Sequence, residues 1–267
     1  MSENVIDEAM VAAAWDRNAD QWANDVQAGF DVYRTLYTLP SFLSFMPDIK
    51  GKSVIDLGCG EGSNTRCFAE LGARMTGVDL SRRLIAEARQ KEAERPLGIQ
   101  YENSSFSNMA TLQPASFDVA LSTMALMDGP DFPAAMREAY RILKTGGLLC
   151  FSVLHPCFIT PATKWVRDED GNHLGLRVGR YFDRTPFVER WHFSKRPSTD
   201  GIVPFEVPRF PRTLSEYINA VSDAGFRITK IDEPRPDTKL SEEHPWLARW
   251  YAHAPLVLFV EAAKAGP

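Results

Sequence analysis

The sequence predicts an α/β fold in which helices cover both faces of a mostly parallel sheet. Segment 53–81 is the main observation, because a short apolar run, closely spaced glycines, a helical stretch and a second apolar run follow one another. Further strand-like runs at 99–102, 116–122 and 148–154 alternate with stretches of helical period. Strands that alternate with helices build a parallel sheet, since each helix crosses back over one face of it.

The turn of the first βαβ unit carries three glycines, Gly58, Gly60 and Gly62. Glycine lets the backbone turn sharply, approach a ligand closely and expose N–H groups where a helix begins. A second strand, 75–78, then leads to Asp79. In nucleotide-type units, a carboxylate about 20 residues past such glycines hydrogen-bonds a ribose diol. Segment 53–81 therefore predicts a site for a ligand that contains a nucleoside.

The glycine spacing disfavours a dinucleotide. Dinucleotide-binding units carry G-x-G-x-x-G around a pyrophosphate, whereas the third glycine comes one residue early here. Asp56 stands two residues before the first glycine and would face an anionic pyrophosphate unfavourably. The same carboxylate suits a ligand that carries an ammonium group and no phosphate.

D-L-G-C-G-E-G at 56–62 closely resembles motif I of the class I S-adenosylmethionine (SAM)-dependent methyltransferases, and V-D-L-S at 78–81 resembles their second motif. Segments 116–122 and 141–149 also resemble this family. The resemblance implies a Rossmann-like, mostly parallel sheet of seven strands with an antiparallel last strand. It implies S-adenosyl-L-methionine as cofactor and S-adenosyl-L-homocysteine (SAH) as product.

The resemblance also implies which residues bind the cofactor. Asp56 and the glycine loop would hold the methionine end, Asp79 the ribose, and the turn 104–106 the adenine. Many relatives carry an aspartate in that turn, and this chain departs from them with two serines. The predicted cofactor-binding residues are Arg34, Asp56, Gly58, Cys59, Gly60, Gly62, Asp79, Leu80, Ser104, Ser105, Phe106 and Ser122.

Composition narrows the class of protein. A chain of 267 residues with 44% hydrophobic content can bury a full core. A net charge of −5 argues against a nucleic-acid partner, whose binding needs clustered Lys and Arg. No apolar run approaches the roughly 18 residues of a membrane span. The acidic start is unlike a signal peptide, and the four cysteines form no C-x-x-C pair. We therefore expect a cytoplasmic protein with neither a metal site nor a membrane partner.

The chain is predicted to be one domain, 1–267, with four parts: an N-terminal helical cap (1–48), a SAM-binding core (49–154), an inserted lid or substrate lobe (155–212) and the C-terminal part of the core (213–267). In the cap, Trp15 and Trp22 lie on one face of a helix over 7–26, and a second helical stretch ends before Pro40. Arg34 follows the first helix and could pair with the methionine carboxylate or lie on the surface.

Helix signals recur through the core. Ser81 and Asp131 are predicted N-caps, and Thr213-Leu-Ser-Glu216 is a capping box. The glycines of L-K-T-G-G at 143–147 should end the helix before strand 148–154. Ser122 lies at the carboxyl end of strand 116–122, where open α/β sheets bind ligands.

The inserted segment is rich in proline and aromatic residues. Runs 187–193 and 202–207 predict a β-hairpin. Beyond it, 226–231 and 256–260 predict the last two strands, as an antiparallel pair. Residues 234–241 are predicted to form a loop, and the aromatic residues at 246–251 a short helix.

Methyl transfer requires alignment above all, and a general base only when the acceptor must lose a proton. His155 is the first candidate for that base, because it follows strand 148–154 at the cleft end, with His192 next and Tyr33 and Tyr181 behind. The predicted reaction is methyl transfer to an O, N or C atom of a small molecule. A non-catalytic SAM-binding partner protein and an NAD(P)-dependent oxidoreductase are the alternatives. A homodimer is compatible with these observations.

Overall fold

The computed structural model describes residues 6–266. The helices are α1 Glu8–Gln27, α2 Leu39–Phe45, α3 Ser63–Glu70, α4 Arg82–Glu94, α5 Phe132–Ile142, α6 Leu214–Asp223, α7 Thr238–Glu243 and α8 Pro245–Ala252, with a π-helical turn at Arg34–Thr38 and a 3-10 turn at Leu126–Asp128. The strands are β1 Ser53–Leu57, β2 Arg74–Asp79, β3 Gln100–Asn103, β4 Phe117–Thr123, β5 Leu143–Leu154, β6 Lys164–Arg167, β7 His173–Arg177, β8 Phe187–Trp191, β9 Phe205–Arg209, β10 Phe226–Asp232 and β11 Val257–Lys264.

Seven strands form one sheet in the order β10-β11-β5-β4-β1-β2-β3. Strands β1 to β5 pair in parallel, and β11 runs antiparallel to both β5 and β10. The predicted sheet, mostly parallel with an antiparallel last strand, is therefore confirmed. Val54, Ile55 and Leu57 of central strand β1 are fully buried, as expected where helices cover both faces.

The local signals of the core are largely confirmed. Ser81 and Asp131 accept backbone N–H groups at the starts of α4 and α5, and Thr213 and Glu216 form both bonds of a capping box. One prediction about the core was wrong: Gly146 and Gly147 lie inside β5, because the strand begins at Leu143 directly after the helix. A register shift in the pairing of β4 with β5 accommodates this early start.

The N-terminal part packs over the carboxyl edge of the sheet. Helix α1 contacts α4 and β9, and the predicted helix over 7–26 is confirmed. The second stretch does not end before Pro40: it continues as α2, where proline occupies the first turn and needs no N–H partner. Part of the predicted loop 234–241 is likewise helical, because Asp237 caps α7.

The inserted segment forms two antiparallel hairpins, β6–β7 and β8–β9. The second confirms the predicted hairpin. It is fastened to α1, since the Asn18 side-chain amide donates to the carbonyl of Glu206 at 3.1 Å and Arg196 pairs with buried Asp25. Within residues 6–266, no helix combines the length and the apolar character needed to cross a membrane.

Candidate active site

A cavity of about 620 Å³ opens at the carboxyl ends of the parallel strands. One end, which we call the glycine-loop end, is lined by Gly58, Cys59, Gly60, Glu61, Asp79, Leu80, Ser105 and Phe106. A second part of the lining, which we call the aromatic end, consists of Phe30, Tyr33, Trp191, His192, Phe193, Arg249 and Trp250. Trp15 and Trp22 of α1 lie along the wall.

The three glycines of the loop serve different purposes. A Cβ on Gly58 would lie 2.3 Å from the Cβ of Ala125. One on Gly62 would lie 2.5 Å from the hydroxyl of Tyr101. Gly60 differs, because a Cβ there would meet no atom of the described residues within 4 Å, and its φ of +56° is left-handed. The first and last glycines are thus required for packing, whereas Gly60 borders open space in the cavity.

Asp79 connects the end of β2 to this loop. Its carboxylate accepts the N–H of Gly60 at 2.9 Å and the N–H of Ser81 at 2.8 Å. Burial raises the pKa of Asp79 to about 6, although both N–H bonds act in the opposite direction. Asp79 lines the cavity, so a ligand bound there can contact its carboxylate.

Asp56 lies beneath the loop, fully buried and outside the cavity lining. One carboxylate oxygen accepts the hydroxyl of Thr65 at 2.6 Å, and the other has no hydrogen-bond partner in the described part of the chain. Burial above all, together with the negative charges of Asp79 and Glu61, raises the pKa of Asp56 to about 7. An uncompensated carboxyl group at this depth favours a cation nearby.

Glu61 is a third carboxylate at this end and is not among the cofactor-binding residues predicted from the sequence. It is 5% exposed and accepts the indole N–H of Trp22 at 2.9 Å. Its position between Gly60 and Gly62 is the sequence feature that could have identified it as a site residue. Among residues 6–266, Asp56, Glu61 and Asp79 have no salt bridge to a basic side chain. The site therefore fits SAM, which bears an ammonium and a sulfonium, better than a pyrophosphate.

Arg34 lies on the cavity wall in the π-helical turn. Its guanidinium contacts Asp31 and donates to the side-chain oxygen of Asn64, each at 3.1 Å. Asn64 in turn donates to the hydroxyl of Thr123 at 2.8 Å. The network joins the N-terminal part, the start of α3 and the end of β4, and π-helical turns are frequent at functional sites.

The predicted adenine turn is only partly on the cavity. Ser105 and Phe106 line it, and Ser104 does not. Ser105 donates to Glu8 of α1 at 2.8 Å. Phe106 packs against Gly129, where a Cβ would lie 2.5 Å from the ring. The ring is thereby held at the cavity wall.

Three other predicted residues also lie outside the lining. Gly62 packs as described above. Ser122 is buried and donates to the carbonyl of Leu57 at 2.7 Å. His155 is 1% exposed, and its Nε2 lies 2.6 Å from a Glu233 carboxylate oxygen. Burial lowers the pKa of His155.

The histidine that does line the cavity is His192. Its Nε2 lies 3.3 Å from the carbonyl oxygen of Ile202. A proton on Nε2 satisfies that carbonyl, so Nδ1 is then the acceptor nitrogen. Two other lining residues each carry a buried N–H group, Trp191 Nε1 and Arg249 Nε, that has no acceptor among residues 6–266.

Known proteins are similar to this chain in fold and in sequence. Residues 55–151 match the family model described as a methyltransferase domain. A SAM-dependent methyltransferase of Mesorhizobium loti is 30% identical with a TM-score of 0.68, over 84% of this chain and 96% of that one. A Listeria monocytogenes protein assigned to the same family is also 30% identical, with a TM-score of 0.68, over 90% of this chain and 99% of that one. Ubiquinone biosynthesis O-methyltransferase of Idiomarina loihiensis is 39% identical over 105 residues, which span 39% of this chain and 43% of that protein.

A nucleotide-type glycine loop with buried, unpaired carboxylates defines a protein that binds a cationic nucleoside. The chain belongs to the class I SAM-dependent methyltransferases, as its 30% identity across nearly the whole Mesorhizobium loti enzyme establishes. It is a methyltransferase and uses SAM as its cofactor. None of these similarities supports a non-catalytic partner protein or an NAD(P)-dependent oxidoreductase.

The raised pKa values of Asp56 and Asp79 predict pH-dependent cofactor binding. The ammonium group that SAH shares with SAM favours ionised carboxylates nearby, and these lose their charge as pH falls through about 7 and about 6. We expect SAH affinity to weaken on the order of tenfold between pH 7.5 and pH 5.5, measured by calorimetry.

The free energy of unfolding of the ligand-free protein should change with pH in the opposite direction. Asp56 and Asp79 contribute stability at low pH that is lost as pH rises through 6 and 7. Asp56→Asn should flatten both trends, and equal affinity at the two pH values would contradict the assignment.

Proposed function

We propose that this methyltransferase transfers a methyl group to a small molecule held in the aromatic end of the cavity. The observation that carries the proposal is the continuity of one cavity from the glycine-loop end to the aromatic end. Helix α1 and hairpin β8–β9 supply walls of that end, and they pack on each other. The similarity to a ubiquinone biosynthesis O-methyltransferase supports a small acceptor. We infer that segment 155–212 covers the acceptor.

We assign the cofactor contacts by position. Asp79 would hold the ribose, Asp56 and Glu61 would balance the positive charge of the methionine part, and Arg34 would bind its carboxylate. The cofactor would occupy the open space beside Gly60, and Phe106 would contact the adenine. When bound, SAM supplies an electrophilic methyl group, so the chain's own task is to align the acceptor and exclude water.

We further propose that His192, rather than His155, is the base when the acceptor must lose a proton. His192 lines the aromatic end, and its Nδ1 can accept a proton while Nε2–H bonds the carbonyl of Ile202. His155 is turned to Glu233 outside the lining. Its buried contacts suit a structural role.

The proposal is tested by incubating the protein with SAM labelled in the transferred methyl group and with two fractions of a cell extract. We expect label in the small-molecule fraction and none in the protein or RNA fraction. Once an acceptor is identified, His192→Asn should slow turnover and spare SAH affinity. His155→Asn should lower the melting temperature with little change in turnover of the folded enzyme. Label confined to macromolecules would contradict the proposal.

A cytoplasmic location is also a proposal. The four cysteines are all unpaired thiols, two of them buried. Reduced thiols are usual in the cytoplasm. Fractionation of cells that express the tagged chain would test this, and recovery outside the cytoplasm would contradict it.

A further inference from the structure

We propose that the acceptor carries a carboxylate or a comparable oxyanion, and that Arg249 binds it. The inference rests on the proposed function and narrows it to a substrate class, a small aromatic acid. It is carried by the pairing of charges around the cavity and by the surroundings of one guanidinium.

The other arginines on the cavity wall are neutralised by carboxylates. Arg34 pairs with Asp31 at 3.1 Å. Arg209 contacts Glu189 at 2.7 Å and also pairs with buried Asp128. Arg209, with two carboxylate partners, is therefore a poor candidate for holding an additional anion, whereas Arg34 has one such partner and keeps its assignment to the carboxylate of SAM.

Arg249 lacks such a partner. Within residues 6–266, no carboxylate oxygen lies within 4.0 Å of its nitrogens. One terminal nitrogen donates to the hydroxyl of Tyr33 at 2.8 Å, and Nε is buried with no acceptor from the residues that the structure describes. A buried donor without an acceptor destabilises the folded protein. A guanidinium can donate two parallel N–H groups, one of them from Nε, to a single carboxylate. The missing partner is thus an anion supplied from the cavity.

The surroundings of Arg249 indicate what carries that anion. The guanidinium lies 5.2 Å from the ring centre of Trp165 and 5.4 Å from that of Trp250. Tyr33 stacks edge-on against Trp246 with ring centres 4.7 Å apart. Of these rings, Tyr33 and Trp250 line the cavity beside the charge, and their flat apolar surface suits an aromatic ring bearing a carboxylate.

The carboxylate of SAM itself is the competing occupant. We assign that group to Arg34, because Asn64 at the start of α3 holds its guanidinium beside the glycine loop. Arg249 lies on α8 and contacts Tyr33 instead. The two assignments predict different variants to lose SAH, so one experiment separates them.

The test uses benzoate, benzamide and benzamidine, three probes of one shape and different charge, with ligand-observed NMR on the SAH-saturated protein. The wild type should bind benzoate at least about tenfold more tightly than benzamide, because hydrogen bonds to charged groups are strong. Arg249→Gln should bind the two about equally. Arg249→Glu should reverse the preference, from benzoate to benzamidine.

Arg34→Gln is the matched control, since it also removes a guanidinium from the cavity wall, but one that pairs with a carboxylate and is assigned to SAM. It should weaken SAH binding and, at saturating SAH, keep the preference for benzoate. Melting temperature and SAH affinity verify that each Arg249 variant is folded. If wild-type protein shows no preference for benzoate, or if Arg249→Gln keeps it or loses SAH instead, the inference is overturned. Failure of wild-type protein to bind SAH would instead refute the cofactor site on which the proposed function depends.

Discussion

Replacing Gly60 by leucine should abolish detectable binding of SAH. The side chain would project into space where no atom of residues 6–266 lies within 4 Å of its Cβ, and the Gly60 N–H bonds the carboxylate of Asp79. That space is where we place the cofactor, so the protein should fold around the new side chain and still exclude the ligand. Calorimetric titration of the folded variant with SAH measures the loss.

Gly146→Leu is the matched control for this experiment. Gly146 also has a left-handed φ, of +76°, and a Cβ there would also meet no protein atom within 4 Å. It is exposed and lies outside the cavity. Both variants carry a similar backbone strain of about 1–2 kcal/mol, and only the one at Gly60 should lose SAH. Retained affinity in Gly60→Leu would place the cofactor elsewhere.

Asp79→Asn should weaken SAH binding by about 10- to 100-fold. Hydrogen bonds to a charged acceptor contribute about 1.5–3 kcal/mol, and the amide that replaces the carboxylate keeps the shape and loses the charge. The amide also presents a donor where the N–H groups of Gly60 and Ser81 need acceptors. The effect should therefore combine lost contacts with the ribose and a disturbed loop.

Asp118→Asn controls for the removal of a carboxylate from the same sheet. Asp118 accepts the N–H of Ser53 at 2.8 Å and pairs with Lys144, but it lies near the start of β4, at the opposite edge. The Asp118→Asn variant should lose some stability and keep the SAH affinity of the wild type. If Asp118→Asn weakened SAH binding as much as Asp79→Asn, the ribose assignment would be wrong.

The cofactor end of the site is readable from sequence because its parts are local. An apolar strand, a glycine turn and a carboxylate at the end of the next strand lie within 53–81, and their order reflects backbone geometry. Even there, the distinct duties of the three glycines depend on partners such as Ala125 and Tyr101, which come from other parts of the chain. Local pattern thus identifies the loop, and tertiary packing separates its members.

The acceptor end could not be read in the same way. Arg249 meets Tyr33 across 216 positions of the chain, and no spacing rule connects a residue of α8 to one beside α1. His155 illustrates a different limit of local pattern. Its position after β5 correctly follows the rule for strand ends, yet Glu233, beyond β10, draws the ring away from the cavity. Side-chain direction here depends on a distant partner.

The most direct measurement is calorimetric titration of the purified protein with SAM, SAH and NAD at pH 7.5. The buried carboxylates Asp56, Glu61 and Asp79 should admit a cationic or zwitterionic nucleoside and repel a pyrophosphate. We expect SAM and SAH to bind and NAD to give no heat of binding. Binding of NAD without SAM would contradict the assigned site.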